Sequence, residues 1–116
     1  MKKIRVGIIG QGRSGRNIHA LALARPNLKE RFELAAVADR IPERCSESCA
    51  ENPGCRAYTD YRELLKDSSL ELIVNATPSP DHVGISIEAL ESGHAVLSEK
   101  PLARHVADVD RVLEAA

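Results

Sequence analysis

The chain opens on an apolar run that ends in closely spaced glycines, and this stretch constrains the fold more than any other. Residues 4–9 read Ile-Arg-Val-Gly-Ile-Ile, and the turn after them has the pattern Gly10-x-Gly12-x-x-Gly15. Residues 16–24 then have the spacing of a helix. Strand, glycine turn and helix in this order are typical of a dinucleotide-binding site, although a plain turn without a ligand has the same local pattern.

Each glycine of this turn has its own physical reason. Gly10 permits the sharp change of direction, Gly12 leaves room for a pyrophosphate against bare backbone, and Gly15 lets the helix approach the strand. The first helical turn then presents unpaired N–H groups and a partial positive charge to the phosphates. We therefore expect the cofactor to contact the whole turn, which comprises Gly10, Gln11, Gly12, Arg13, Ser14 and Gly15.

The rest of the chain alternates short apolar stretches with helical segments. The predicted strands are residues 4–9, 32–38, 56–58, 70–76 and 95–97. The predicted helices are about residues 14–24, 42–50, 61–66, 82–92 and 105–116. Pro26 is expected to end the first helix, Thr59 or Asp60 to cap the third, and Gly93 to end the fourth.

Short connections between alternating strands and helices favour a parallel sheet with right-handed crossovers. The predicted fold is therefore α/β, a doubly wound parallel sheet with strand order 3-2-1-4-5. We expect residues 1–116 to form one domain of this kind. A sixth strand of such a fold would come after the last residue, so we expect the domain to be truncated there.

Composition argues against several classes of partner. The net charge is −1, and the 16 basic residues are interleaved with acidic ones, which gives no footprint for nucleic acid or a membrane surface. Aromatic residues make up only 3%, so a stacking platform for single-stranded nucleic acid is not expected. No secretory signal or membrane-length apolar run is present, which favours a cytoplasmic protein.

The number and spacing of the cysteines also argue against a metal site. Cys45, Cys49 and Cys55 have a C-x3-C-x5-C spacing that matches no zinc pattern with two close pairs. An odd number of cysteines without a signal peptide indicates reduced thiols. We therefore expect no metal site, with metal binding or redox sensing by these cysteines as the less favoured alternative.

Asp39 stands at the end of the second predicted strand, 24 positions after Gly15. This is close to the offset of about 20 residues expected for the acid that binds the adenosine ribose. A carboxylate there would repel the 2′-phosphate of NADP and so favours NAD. The alternative is an Asp that only turns the chain. Arg40 can stack on adenine or bind a 2′-phosphate, which keeps NADP open.

Polar residues also follow the fourth and fifth predicted strands. Asn75, Thr77 and Pro78 lie where the strand order reverses, which is where ligands bind in this topology, but a plain strand-to-helix turn explains them equally well. Lys100 would point toward the same crevice, where a lysine can donate to a substrate hydroxyl or tune a proton transfer. From spacing alone, a solvated Lys100 paired with Glu99 is the favoured interpretation.

Two residues at the start of the fourth predicted helix carry weaker signals. Gly84 costs about 1 kcal/mol relative to alanine inside a helix. A close approach of backbone or ligand would explain the glycine, and simple tolerance of the cost would explain it equally well. From position alone, His82 is favoured as a polar packing residue over a catalytic one.

Together these motifs resemble the N-terminal domain of the glucose–fructose oxidoreductase / inositol dehydrogenase family (Gfo/Idh/MocA). The resemblance covers nearly the whole chain and is carried by residues 10–19, Val37-Ala38-Asp39, the TPxxxH loop 77–82, residues 89–93 and Glu99-Lys100-Pro101. It implies binding of NAD or NADP. It also implies hydride transfer to or from a carbinol carbon of a sugar, polyol or related compound.

The resemblance also implies roles for individual residues. Lys100 matches the active-site lysine, which contacts the substrate and the nicotinamide ribose, and Asp39 matches the position that selects the cofactor. Thr77, Pro78 and His82 match the loop beside the cofactor. With Lys100 as the catalytic candidate, the cofactor-binding candidates are Gly10, Gln11, Gly12, Arg13, Ser14, Gly15, Asp39, Arg40, Asn75, Thr77, Pro78, His82 and Glu99.

The chain departs from the family in length. Members continue into a second α/β domain that supplies most substrate contacts and usually a catalytic histidine, which His94 and His105 do not match. We therefore expect the cofactor-binding part of a longer enzyme, inactive by itself and without its substrate domain. A non-catalytic dinucleotide-binding sensor or assembly module is the alternative. An open edge at the fifth strand predicts a homo-oligomer.

Overall fold

The structure is a computed structural model that describes residues 3–10, 23, 25–77, 82–98 and 106–116. Its strands are β1 (Ile4–Ile9), β2 (Phe32–Ala38), β3 (Arg56–Tyr58), β4 (Leu72–Asn75) and β5 (Ala95–Ser98). Its helices are α1 (Pro26–Lys29), α2 (Pro42–Glu51), α3 (Tyr61–Leu65), α4 (His82–Glu91) and α5 (Val106–Ala115). The strands form one parallel sheet in the order β3-β2-β1-β4-β5, which confirms the predicted topology.

Most element boundaries fall within two residues of the prediction, but two differences have clear causes. The short helix α1 was not predicted; it starts at Pro26, whose fixed φ suits the first helical position. The predicted fourth strand begins late, at Leu72, because the N–H of Leu70 bonds the carbonyl of Asp67 in a turn. The predicted helix 14–24 lies, apart from residue 23, outside the described residues.

The sheet is covered on both faces, as its mostly apolar strands require. One face packs against α3 and α4 in a core that contains Ile9, Ala36, Ala38, Leu64, Leu65, Ile73, Ile85 and Ala89. The other face carries a second cluster of Val6, Ile8 and Val74, with Phe32, Leu34, Leu72 and Leu23 packed against it. None of the helices that the structure describes is long and apolar enough to cross a membrane.

Local capping follows the sequence prediction. The Asp60 carboxylate accepts a hydrogen bond from the N–H of Arg62 at 2.9 Å and so caps α3. Gly93 ends α4 with a φ of +91°, a conformation that favours glycine. These caps fix where α3 begins at the carboxyl end of the sheet and where α4 turns back toward β5.

Candidate cofactor site

A cavity of about 1070 Å³ opens at the carboxyl ends of the strands. It lies where the strand order reverses between β1 and β4, the switch point at which doubly wound folds bind ligands. Its walls come from the ends of β1, β2 and β4, from the start of α3, and from α4 and α5. The lining includes Gly10, Asp39, Arg40, Arg44, Arg62 and Thr77.

Gly10 is required by the turn at the end of β1. Its φ is +94°, and a Cβ there would lie 2.7 Å from the carbonyl oxygen of Ala76. The backbone is held close by the Gly10 N–H, which donates to Ala38 at 2.7 Å, and by the Ala76 N–H, which donates to Ile9 at 2.9 Å. The first glycine therefore packs the β1 turn against the chain that leaves β4, at the floor of the cavity.

Asp39 leaves β2 directly beside β3, because its N–H donates to the carbonyl of Tyr58 at 3.0 Å. Its side chain is 7% exposed, and one carboxylate oxygen accepts the N–H of Ile41 at 2.8 Å. The other lies 3.6 Å from the guanidinium of Arg44. Asp39 thus does turn the chain. A carboxylate accepts about four hydrogen bonds, so this bond is compatible with a ribose hydroxyl as a further donor.

Cys45 of α2 contacts the backbone of the turn at Asp39. Its thiol donates to the carbonyl oxygens of Asp39 and Tyr58, each at 3.4 Å. Burial raises the pKa of the Cys45 thiol, which favours the neutral form whose single S–H is shared between the two carbonyls. This structural role of Cys45 was not predicted, since the cysteine spacing indicated only the absence of a metal site. Among the described residues, no group of three His, Cys, Asp or Glu side chains could hold a metal ion.

The turn from β4 into α4 is built on Asn75. This buried side chain donates from its amide to the carbonyl of His82 at 3.1 Å and to the hydroxyl of Ser86 at 3.0 Å, and it accepts the Thr77 hydroxyl at 2.6 Å. The ring of His82 is also buried, with Nε2 2.7 Å from the carbonyl of Thr77. Thr77 itself lines the cavity. The network therefore positions the Thr77 backbone at the switch point.

A second wall, formed by α3 and α4, was not predicted. Glu88 accepts a short hydrogen bond from the Tyr61 hydroxyl and lies 3.3 Å from Nε of Arg62. The Arg62 guanidinium lies 4.9 Å from the centroid of the Tyr61 ring. Burial, together with the hydrogen bond to Glu88, raises the pKa of Tyr61 to about 12. All three side chains line the cavity.

Gly84 lies in α4 on the same cavity. Apart from its chain neighbours and the backbone of its own helix, no heavy atom of the described residues lies within 4 Å of the position that a Cβ on Gly84 would take. Packing within the described part of the protein therefore does not require glycine here. The other predicted site residues lie outside the described residues and stay predictions: Gln11, Gly12, Arg13, Ser14, Gly15, Pro78, Glu99 and Lys100.

Comparisons with known proteins agree with this geometry. Residues 4–116 match the family GFO_IDH_MocA, described as an oxidoreductase family with an NAD-binding Rossmann fold. Inositol 2-dehydrogenase from Mycolicibacterium smegmatis is 35% identical over 115 residues, which are 98% of this chain and 31% of that protein. The chain thus spans about a third of the length of the curated relatives that it matches.

Solved structures show the same coverage. The WlbA dehydrogenase from Bordetella pertussis, in complex with NADH and UDP-GlcNAcA, superposes with a TM-score of 0.89 at 34% identity, over 99% of this chain and 33% of that one. KijD10, a 3-ketoreductase from Actinomadura kijaniata in complex with NADP and TDP-benzene, superposes with a TM-score of 0.88 at 28% identity, over 99% and 34%. The chain therefore belongs to the Gfo/Idh/MocA oxidoreductase family and corresponds to its NAD-binding Rossmann domain.

Proposed function

We propose that this chain is the cofactor-binding part of an NAD(P)-dependent oxidoreductase that moves a hydride to or from a carbinol carbon of a sugar, polyol or related compound. The main support is the cavity at the switch point, which brings Gly10, Asp39 and Thr77 together. Relatives of the same fold are described as acting on inositol, or were solved with a sugar nucleotide. The bound nicotinamide would supply or accept the hydride.

Different residues at the carboxyl end of the sheet would bind different parts of the dinucleotide. The glycine turn from Gly10 to Gly15 would receive the pyrophosphate at a helix N-terminus. Asp39 would accept hydrogen bonds from the adenosine ribose. Asn75 and His82 would keep Thr77 beside the cofactor, in a loop that also includes Pro78.

Asp39 favours NAD over NADP, and two arginines limit that preference. Arg44 lies 3.6 Å from the Asp39 carboxylate, and Arg40 lines the same cavity. A guanidinium beside the carboxylate reduces the repulsion of a 2′-phosphate and offers it a planar, charged partner. We therefore propose NAD as the preferred cofactor with measurable binding of NADP. Relatives have been solved with each form of the cofactor.

Lys100 is the proposed catalytic residue, with Glu99 beside it at the cofactor. Lys100→Ala in the full-length protein should lower kcat about 100-fold or more, because a positioned proton-transfer group contributes on that order. The Kd for NAD should change by less than about threefold. Lys66→Ala is the matched control, since that lysine is exposed and pairs with Glu63 on α3. If the full-length protein shows no turnover and Lys100→Ala leaves its function unchanged, a non-catalytic dinucleotide-binding module is supported instead.

The chain by itself is proposed to bind cofactor weakly and to catalyse no turnover. It covers only about a third of the length of these relatives, and the family resemblance implies a substrate domain in the remainder. Spectrophotometric assay of NAD reduction with a panel of polyols tests this. Robust oxidation of any of them by residues 1–116 alone would contradict it.

We also propose a cytoplasmic homo-oligomer that acts on small molecules, with no nucleic-acid or membrane partner. In the described sheet β5 is an outer strand, and its Leu97 is 51% exposed. Leu113 of α5 is also exposed. Outer strands and exposed apolar side chains recruit other chains, so self-association is expected through β5 or through α5. Sedimentation velocity should show a mass that rises with concentration, and a concentration-independent monomer would contradict this.

A further inference from the structure

The wall formed by α3 and α4 presents a planar cation held in a fixed place. Arg62 stacks over the ring of Tyr61, and Glu88 bonds both the Tyr61 hydroxyl and the Arg62 Nε. The Arg62 side chain nevertheless remains 63% exposed. One side of its guanidinium thus faces Tyr61, while much of the rest is accessible from the cavity. Such an arrangement costs little entropy when a second flat group stacks on it.

The position of this wall follows from the pairing of β2 with β3. Ala38 pairs with Tyr58, and the N–H of Asp39 bonds the Tyr58 carbonyl. The chain that leaves β3 therefore starts beside Asp39 and reaches Arg62 four residues later, in the first turn of α3. A nucleoside whose ribose is held by Asp39 carries its base directly on that ribose. The base must then occupy the same cavity, which Arg62 and Glu88 line.

Gly84 provides a second, independent observation on the α4 side of this wall. It lies four residues before Glu88, so the two share a face of α4. Alanine would be favoured at this helical position, and no described heavy atom would contact its Cβ. The glycine leaves bare backbone at the cavity, beside the carboxylate that holds Arg62.

We propose that the adenine ring of the dinucleotide stacks on the Arg62 guanidinium, in the space that Gly84 leaves against α4. Tyr61 supports the guanidinium from below, and Glu88 sets its orientation. Arg62 is thus a positioning residue for the adenosine half of the cofactor, and it does not contact the reacting nicotinamide. This inference rests on the proposed dinucleotide binding.

Calorimetric titration of Arg62→Ala and Arg62→Lys with NAD, ADP-ribose and nicotinamide mononucleotide tests the stacking. Both variants should bind NAD and ADP-ribose about tenfold more weakly than the original chain, since base stacking on a side chain has this order of effect. Binding of nicotinamide mononucleotide, which has no adenosine, should not change. Arg56→Ala is the matched control, because Arg56 is an exposed arginine on β3 outside the lining of the cavity.

Gly84→Ala keeps the inference testable if an Arg62 variant folds poorly. This variant should unfold at the same or a higher temperature than the original chain and should bind ADP-ribose several-fold more weakly, since its methyl group occupies the space for the base. If Arg62→Lys binds ADP-ribose as tightly as the original chain does, the charge of residue 62 matters and the stacking does not, which would overturn the proposal. Equal losses for ADP-ribose and nicotinamide mononucleotide would also overturn the assignment.

The same titrations separate the two levels of the argument. If the original chain binds neither NAD nor ADP-ribose, the proposed function itself fails, and this inference fails with it. If the original chain binds both and the Arg62 and Gly84 variants bind them equally well, only the adenine assignment fails.

Discussion

The two ends of the parallel sheet place their polar side chains in opposite settings. At the amino end, buried His94 has both ring nitrogens close to carbonyl oxygens, Nδ1 2.8 Å from Leu70 and Nε2 2.9 Å from Leu65. At the carboxyl end, Asp39 and Arg62 line an open cavity. At the amino end His94 joins backbone segments, whereas at the carboxyl end Asp39 and Arg62 border a ligand-sized space.

The two buried histidines of the described chain make the comparison specific. His94 joins the segments around β4 far from the cavity, and its neighbours are main-chain carbonyls. His82 lies under the β4–α4 turn, where it bonds the carbonyl of Thr77 at the cavity. Burial alone therefore does not separate a structural histidine from one that shapes a site. The segment that each histidine positions does separate them.

The largest effect on the free energy of unfolding is expected from replacing Gly10, one of two glycines with positive φ that lie at opposite ends of the sheet. Gly10→Ala should lower the free energy of unfolding by about 2–5 kcal/mol, because the new Cβ combines backbone strain with a 2.7 Å approach to the Ala76 carbonyl. Gly93→Ala should cost only about 1–2 kcal/mol, since no described heavy atom lies within 4 Å of its Cβ position. Urea denaturation measures both. Equal costs would contradict the close packing at the cavity floor.

The next largest effect is expected at His94, where a substitution should lower stability without weakening the binding of NAD. His94→Phe should lower the free energy of unfolding by about 2–4 kcal/mol, because it removes both ring nitrogens from the buried carbonyls of Leu65 and Leu70, one of which accepts the ring N–H. The Kd of the folded protein for NAD should stay within about twofold. Denaturation and calorimetry on the same preparation measure the two quantities. A marked loss of NAD affinity would show that the two ends are coupled.

A smaller effect concerns cofactor choice at the carboxyl end. Arg44→Ala should weaken binding of NADP about tenfold relative to NAD, because it removes the cation 3.6 Å from the Asp39 carboxylate and restores repulsion of the 2′-phosphate. Parallel titrations with NADH and NADPH, followed by fluorescence, measure the ratio. Arg25→Ala, at the start of α1, is the control. If the ratio of the dissociation constants for NADPH and NADH is unchanged in Arg44→Ala, Arg44 does not contribute to cofactor specificity.

The smallest effect is a pH dependence at the α3–α4 wall. The pKa of Tyr61 is raised to about 12, chiefly by burial and then by its bond to Glu88. The folded state therefore holds this proton more tightly than the unfolded state, in which the pKa is about 10. The resulting stability is complete below pH 10 and is lost as the pH rises toward 12.

Tyr61→Phe isolates this contribution. The difference in phenolate absorbance between the original chain and this variant should rise near pH 12. The variant should also lose less stability than the original chain between pH 10 and pH 12. A phenolate signal that rises near pH 10 would contradict the tie between Tyr61 and Glu88.

Much of the fold was predictable because strand pattern and glycine chemistry act locally. The apolar strands, the short connections and the turn at Gly10 suffice for the parallel order 3-2-1-4-5. The same rule places Asp39 and Thr77 at one edge of the sheet, since carboxyl ends of parallel strands lie together. The short helix α1 was not predicted, because a proline that ends one helix can also start another.

The unpredicted part of the site depends on contacts between distant segments. Tyr61 and Glu88 are 27 residues apart, and Arg62 and Glu88 are 26 apart. Neither pair has a sequence signal, because only the folded chain brings the side chains of α3 and α4 together. Cys45 is similar, since its two carbonyl partners come from the ends of β2 and β3. Sequence patterns predicted the edge of the sheet at which the cavity lies, and the packing of distant segments forms the walls of that cavity.

The carboxyl end of the sheet is proposed to bind a dinucleotide through Asp39. Calorimetric titration of the chain with NAD, beside Asp39→Ala and the amino-end control His94→Phe, tests it directly. We predict binding to the original chain, a Kd about tenfold or more higher in Asp39→Ala because a charge-assisted bond to the ribose is lost, and an unchanged Kd in His94→Phe. No binding to the original chain, or equal binding to the original chain and Asp39→Ala, would contradict the account.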